Sequence, residues 1–214
     1  MSKLILFQGD SITDCGRNRE DIVSTGVGYA HMVKGQLGYE NPGEYGFINK
    51  GISGNRIVDV YARIKTDIIN LKPDYMSLLI GVNDVWHELG GKHNGVSAQK
   101  FEKIYDMLIA EILEALPNIK ILILEPFVLE GKATAATEAE PDRWDYFRTE
   151  VPLRAAAAKR IAEKYGFPFV KLQNKFDEAC EQMPAYYWLG DGVHPTPMGH
   201  WIIKNEWIKT FQGM

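Results

Sequence analysis

The sequence predicts an α/β protein: a three-layer α/β/α sandwich around a five-stranded parallel sheet, with residues 1–214 forming a single domain. Three observations carry this expectation. Five short apolar runs bounded by turn residues recur along the chain, and stretches with apolar residues at helical spacing lie between them. No Pro-, Gly- or Ser-rich linker divides the 214 residues, a length ordinary for one such domain. Strands alternating with helices imply parallel strands covered on both faces, because each crossover helix must bury its apolar side on the sheet.

The expected strands are Lys3–Gln8, Tyr45–Asn49, Tyr75–Ile80, Ile119–Leu124 and Pro168–Lys171. Ile57, Val60, Tyr61, Ile64 and Ile68 share one face of a helix that must end before Pro73, since the residue preceding a proline is disfavoured in helical conformation. Phe101, Ile104, Tyr105, Leu108, Ile109, Ile112 and Leu113 mark a second helix, with Ser97 as its N-cap. Val151, Ala155, Ala158, Ala162 and Tyr165 mark a third, ended by Gly166. Pro152 places the start of that helix near itself and leaves Trp144–Phe147 as a separate short piece. A last helix carries Trp201, Ile202 and Ile208, and Trp201 and Trp207 are expected in the core. The Ala-, Thr- and Glu-rich stretch Gly131–Glu140 reads as a mobile loop.

Composition narrows the function classes. Twenty-four Lys and Arg against 28 Asp and Glu leave a net charge of −4, with no basic footprint for nucleic acid or an anionic membrane. No apolar stretch approaches the roughly 18 residues of a membrane span, and the N-terminus has no signal-peptide pattern. Cys15 and Cys180 have neither a C-x-x-C nor a zinc-ligand spacing, so two reduced thiols are expected, and the lack of a signal-peptide pattern or membrane span leads to the expectation of a cytoplasmic location.

Ligands in open α/β sheets sit beyond the carboxyl ends of the strands. There the chain places Gly9-Asp10-Ser11, Gly51-Ile52-Ser53-Gly54-Asn55 and Gly81-Val82-Asn83-Asp84, with Asp191-Gly192-Val193-His194-Pro195 near the C-terminus. A serine hydroxyl needs a base to take its proton, and that base needs an acceptor to hold its tautomer. Ser11, His194 and Asp191 supply those three parts, the three-residue separation letting the carboxylate turn back to the ring. Gly54, Asn83 and the Ser11 N–H can stabilise an oxyanion, Gly54 because no side chain blocks its backbone. Each piece alone has a blander reading as a turn, a loop or a helix cap. Their joint arrangement favours acyl chemistry. Ser53 is a rival nucleophile, but Gly51-Ile52-Ser53-Gly54-Asn55 does not form a G-x-S-x-G elbow.

At these residues the sequence resembles the SGNH hydrolases of the GDSL esterase and lipase superfamily, whose four blocks supply Ser, Gly, Asn and His in that chain order. Gly9-Asp10-Ser11, Gly54, Gly81-x-Asn83-Asp84 and Asp191-x-x-His194 match the blocks in turn. The resemblance implies a flavodoxin-like sandwich, Ser11 as nucleophile, His194 as general base, Asp191 as its orienting carboxylate, and Ser11, Gly54 and Asn83 as the oxyanion hole. The longer strings Gly9 to Arg17, Asn49 to Asn55 and Gly81 to Trp86 are most similar to the intracellular acetylxylan esterase branch. That similarity implies a small acylated partner, an acetylated xylo-oligosaccharide or other sugar. A thioesterase or lysophospholipase acting on longer acyl chains shares the four blocks and remains the alternative, beside a catalytically silent carbohydrate-binding protein on the same fold.

Asp10, Trp86 and Trp188 are candidates for substrate binding, the tryptophans because aromatic faces stack on sugar rings; packing beneath the loops is the equal alternative. Asp14, Arg17 and Arg56 are expected to serve structure through ion pairs, and Cys15 to be a small buried spacer. His87, His93 and His200 show no metal-ligand spacing, and the expected mechanism requires neither metal nor cofactor. A homo-oligomer is left open.

Overall fold

The computed structural model describes residues 2–214. Its strands are β1 (Lys3–Gly9), β2 (Tyr45–Asn49), β3 (Tyr75–Leu79), β4 (Lys120–Leu124) and β5 (Phe169–Val170), all parallel in the order β2-β1-β3-β4-β5. Every expected strand is present, within two residues at each end. Side chains alternate between the two faces of a strand, and here both faces are buried. Ile5, Phe7, Leu79, Leu122 and Leu124 enter one core cluster, whereas Leu6, Met76, Leu78, Ile121 and Ile123 enter the other.

The helices are α1 (Ser11–Asp14), α2 (Tyr29–Glu40), α3 (Ile57–Ala62), α4 (Ile64–Asp67), α5 (Val82–Trp86), α6 (Ala98–Ala115), α7 (Arg143–Tyr165), α8 (Gln173–Cys180), α9 (Ala185–Trp188) and α10 (Pro197–Phe211). Helices α3, α4 and α6 and the second half of α7 bury Ile57, Val60, Ile64, Tyr105, Ile109 and Ile161 against one face. Helices α2, α8 and α10 cover the other with Tyr29, Val33, Phe176 and Trp207. Among the described residues no helix is long and apolar enough to cross a membrane.

Four local expectations are corrected. The single helix expected from Ile57 to Ile68 is two helices, α3 and α4, broken at Arg63, and a 3₁₀ turn at Ile69–Leu71 follows. Arg63 leaves helical geometry there while its guanidinium donates to Asn55, Asp67 and the Lys50 carbonyl. Helix α7 runs unbroken from Arg143 through Pro152. Pro152 and Arg148 are both exposed, so the Arg148 carbonyl left without an N–H partner meets solvent rather than the core. Trp207 is fully buried but Trp201 is 55% exposed, with the Lys204 ammonium 3.7 Å from its ring centre. Six residues along a helix are about 240° of rotation, so the two indoles face different sides.

The stretch Gly131–Glu140 is anchored. Ala133 N–H donates to the Asp191 carbonyl, Leu129 N–H to Gly192, and the buried Thr134 hydroxyl to the Leu129 carbonyl. Glu140 pairs with Arg143 and accepts the Gly90 N–H at 2.6 Å. Gly192, at φ +97°, lets the two segments meet, since a Cβ there would lie 2.6 Å from the Leu129 carbonyl oxygen. The helix α2, not anticipated from sequence, buries only a narrow stripe of Tyr29, Ala30, Val33 and Leu37, and it contains Gly35 and Gly38. Its helicity comes from packing on α10 rather than from intrinsic propensity.

Candidate active site

The carboxyl ends of β1 and β3 open into α1 and α5, which brings Ser11 and Asn83 to one rim of the sheet. Asp10 starts α1. Its Oδ1 accepts the Ile12 N–H at 3.0 Å and its carbonyl accepts the N–H groups of Thr13 and Asp14. The Ser11 N–H is thereby the first-turn donor with no partner among the described residues.

The turn at Asp191–His194 is held by its own carboxylate. Asp191 Oδ1 accepts the N–H groups of Val193 at 2.9 Å and His194 at 2.8 Å, and Oδ2 lies 2.7 Å from His194 Nδ1. The other ring nitrogen, Nε2, is 2.9 Å from Ser11 Oγ. Burial by itself would raise the Asp191 carboxyl, but the hydrogen bonds from the His194 ring and from the His194 and Val193 N–H groups outweigh it and bring the pKa to about 2. The same carboxylate, through its hydrogen bond, raises the His194 imidazole above its ordinary value. With Asp191 ionised, Nδ1 carries a proton and Nε2 is left as an acceptor facing the serine.

Donors converge on the same space. Gly54 adopts φ +82°, a left-handed conformation that strains other residues, and its N–H has no partner among the described residues. Asn83 Nδ2 donates one hydrogen to the Asn55 carbonyl at 3.1 Å, which braces the Gly54–Asn55 loop and leaves its second hydrogen free. Asp84 is fully buried and accepts the Ile57 N–H with both oxygens, at 3.1 and 3.2 Å, tying α5 to the start of α3.

A cavity of about 340 Å³ opens over this group, lined by Ser11, Ser53, Gly54, Asn83, Trp86, His87, Lys92 and His194. Larger hollows occur elsewhere; one of about 560 Å³ beside Lys120 and Phe167 lies at the opposite end of the sheet, and its lining has no serine, histidine or acidic side chain. The trio Ser11, Asp191 and His194 and the trio Ser11, Gly54 and Asn83 are thus brought together.

The substrate-binding candidates separate. Trp86 lines the cavity, its ring centre 5.9 Å from that of His194 and 5.9 Å from that of Phe147. Trp188 does not line it and donates its indole N–H to the Met183 carbonyl. Asp10 is 1% exposed, which corrects its expected contact with substrate: it precedes Ser11 and caps α1. Burial pushes the Asp10 carboxyl up to about 7, against the opposing Ile12 hydrogen bond and His194 charge.

Lys92 and His87 reach the cavity without having been expected there, from a loop whose path only the fold defines, and Ser53, weighed as a rival nucleophile, lines it as well. His200 is buried; it accepts the Tyr29 N–H at Nδ1, so Nε2 carries the proton and donates to Cys15 Sγ at 3.2 Å. Cys15 is half-buried rather than buried. Among the described residues no three His, Cys, Asp or Glu side chains group as metal ligands.

The GDSL-like Lipase/Acylhydrolase family matches residues 7–202. An acetylxylan esterase from Geobacillus stearothermophilus is 35% identical, over 96% of this chain and 92% of that protein. A crystal structure of an acetylxylan esterase from the same organism superposes with a TM-score of 0.83 at 33% identity, covering 97% of this chain and 93% of that one. A candidate GDSL-like lipase from Parabacteroides merdae superposes with a TM-score of 0.89 at 34% identity, covering 99% of this chain and 97% of that one. The chain therefore belongs to the GDSL-like lipase/acylhydrolase family and is a carboxylic ester hydrolase.

Proposed function

We propose that this esterase removes acetyl groups from acetylated sugars, with xylo-oligosaccharides as the leading substrate class, through a Ser11–His194–Asp191 acyl-enzyme mechanism. The observation that carries the reading is the directed chain from Ser11 Oγ to His194 Nε2 at 2.9 Å and from Nδ1 to Asp191 at 2.7 Å, opening on a cavity with three unpaired donors.

In this mechanism Ser11 Oγ attacks the ester carbonyl carbon as Nε2 takes its proton, and the carbonyl π electrons move onto oxygen. The oxyanion is met by the N–H groups of Ser11 and Gly54 and the free amide hydrogen of Asn83. Collapse breaks the carbon to sugar-oxygen bond, and His194 returns the proton to the departing hydroxyl. Water then attacks the acetyl-serine by the same steps and releases acetate. Asp191 keeps the ring in the required tautomer and stabilises the imidazolium.

The acetyl preference is supported by the lining of the cavity, in which only Trp86 is a large apolar side chain. The sugar preference is supported by the acetylxylan esterase relative. Two unpaired cysteines fit a cytoplasmic setting, in which short imported oligosaccharides are the accessible substrates. Assay of Ser11→Ala on an aryl acetate tests the mechanism: activity near background is expected, and wild-type rates would overturn it. Acyl-chain profiling tests the specificity. Rates falling from acetyl to octanoyl are expected, and rates rising along the series would favour a thioesterase or lysophospholipase instead.

A further inference from the structure

Asp14 lies outside the relay, yet it ties the nucleophile's turn to the loop that presents Gly54. It ends α1, three residues after Ser11, and its side chain is 7% exposed. Its Oδ2 accepts both the N–H and the hydroxyl of Ser53, each at 3.1 Å, and Arg19 Nη2 at 2.8 Å. Arg17 Nε lies 3.4 Å from Oδ1 and donates to the Gly51 carbonyl at 3.0 Å. Ser53 therefore lines the cavity with its hydroxyl hydrogen-bonded to Asp14 and with no histidine among its hydrogen-bond partners.

Ser53 is the residue before Gly54. With its N–H and its side chain both fixed on one carboxylate, rotation about its own ψ is the main freedom left to the peptide that carries the Gly54 N–H. The loop is pressed onto α1 on its other side as well. Asn49 Nδ2 donates to the Thr13 carbonyl at 2.6 Å, Asn49 Oδ1 accepts the Gly51 N–H at 2.9 Å, and a Cβ on Gly51 would lie 2.9 Å from Thr13.

We infer that Asp14 is a positioning residue for the oxyanion hole, setting the Gly54 N–H against Ser11 by holding Ser53 on the turn that carries the nucleophile. The inference rests on the proposed serine mechanism. An N–H displaced by a fraction of an ångström still allows substrate to bind but serves the developing oxyanion poorly, so the loss falls on the chemical step.

The experiment compares wild type, Asp14→Asn and Ser53→Ala on an aryl acetate, with active sites counted by complete fluorophosphonate labelling and with affinity measured for a boronic acid that forms a tetrahedral adduct on serine. Asn keeps the shape of Asp14 but has one acceptor oxygen and no charge for the two arginines; Ser53→Ala removes one of the two bonds to Ser53. Per labelled site, kcat is expected to fall about ten- to hundredfold in Asp14→Asn and about three- to tenfold in Ser53→Ala, with KM within about twofold and boronate affinity falling in step. Wild-type kcat per labelled site in either variant would overturn the inference, as would a fall in kcat with unchanged boronate affinity. If Asp14→Asn does not fold, Ser53→Ala decides alone by the same criteria. Wild-type enzyme that resists the fluorophosphonate would overturn the serine mechanism itself, an outcome distinct from failure of Asp14 alone.

Discussion

Replacing Asp191 by asparagine probes the proposed relay at its most directional point. Asp191 Oδ1 serves two backbone N–H groups and Oδ2 serves one ring nitrogen. An asparagine amide has only one oxygen. Set on the two backbone donors, it satisfies both and turns its NH₂ toward Nδ1; flipped, it satisfies the ring and leaves two backbone N–H groups facing another donor. One hydrogen bond is worth about 1 kcal/mol net, and a donor left unsatisfied costs about 1–3 kcal/mol, so the first orientation is favoured roughly 5- to 150-fold. In that orientation Nδ1 must accept, and the ring proton moves to Nε2, the atom 2.9 Å from Ser11 Oγ that has to act as base. Loss of the carboxylate also removes the interaction that raises the His194 pKa and would stabilise the imidazolium. Together these effects place the expected loss in kcat at about 10³- to 10⁴-fold, or about 4–5.5 kcal/mol of transition-state stabilisation, comparable with the same change in a serine protease triad. Hydrolysis of an aryl acetate, normalised to folded protein by near-ultraviolet circular dichroism, measures it. Asp191→Ala, which leaves the ring free to choose its tautomer, should be no worse than the asparagine variant. Retention by Asp191→Asn of more than about a tenth of wild-type kcat would refute the tautomer argument.

The oxyanion, the pH profile and the buried histidine give three further expectations. Asn83→Ala should lower kcat about 10²- to 10³-fold with little change in KM, and Asn83→Asp should fall further because a carboxylate opposes the oxyanion; steady-state kinetics on an aryl acetate would show the order. His194 must be neutral to accept a proton and its pKa is raised, so kcat/KM should climb with pH through a midpoint above 6.5, and that midpoint should move down in Asp191→Ala. A wild-type midpoint below 6.5 would contradict the ion pair. His200 is held neutral by burial, with the nearby His194 adding to the effect, and its pKa falls to about 4. Between pH 6.5 and 4 the unfolded chain takes up a proton that the fold refuses, so stability is full above pH 6.5 and declines as pH falls, by up to about 3 kcal/mol. Urea midpoints should therefore drop less in His200→Asn than in wild type over that range, and parallel drops would exclude His200 as the cause.

Local chemistry made much of this molecule legible in the chain. The five strands could be read because each is a short apolar run covered on both faces, and α6 because Ser97 caps a long amphipathic stripe and accepts the Lys100 N–H. The candidate site residues could be read for a related reason: a nucleophile, its base and its oxyanion donors need particular residue types at loop positions after strands, and four short blocks contain residues of those types. Helix α2 and the continuity of α7 could not be read in this way. The first has two glycines and a narrow apolar stripe, and the second tolerates Pro152 only because the carbonyl it leaves unpaired reaches solvent.

The sequence by itself determined the family and the order of the five strands along the chain, and it singled out Ser11, Gly54, Asn83, Asp191 and His194 as candidates, because those depend on local period and on residue type. Tertiary structure alone decided which groups share the cavity. Residues 183 positions apart meet at 2.9 Å, Asp10 is buried beside Ser11, the Gly131–Glu140 segment clamps the Asp191 turn, and Asp14 takes the Ser53 hydroxyl. The physical reason is that hydrogen-bond partners and burial are set by what the packed sheet and helices bring alongside, and neither is encoded in the spacing of residues along the chain.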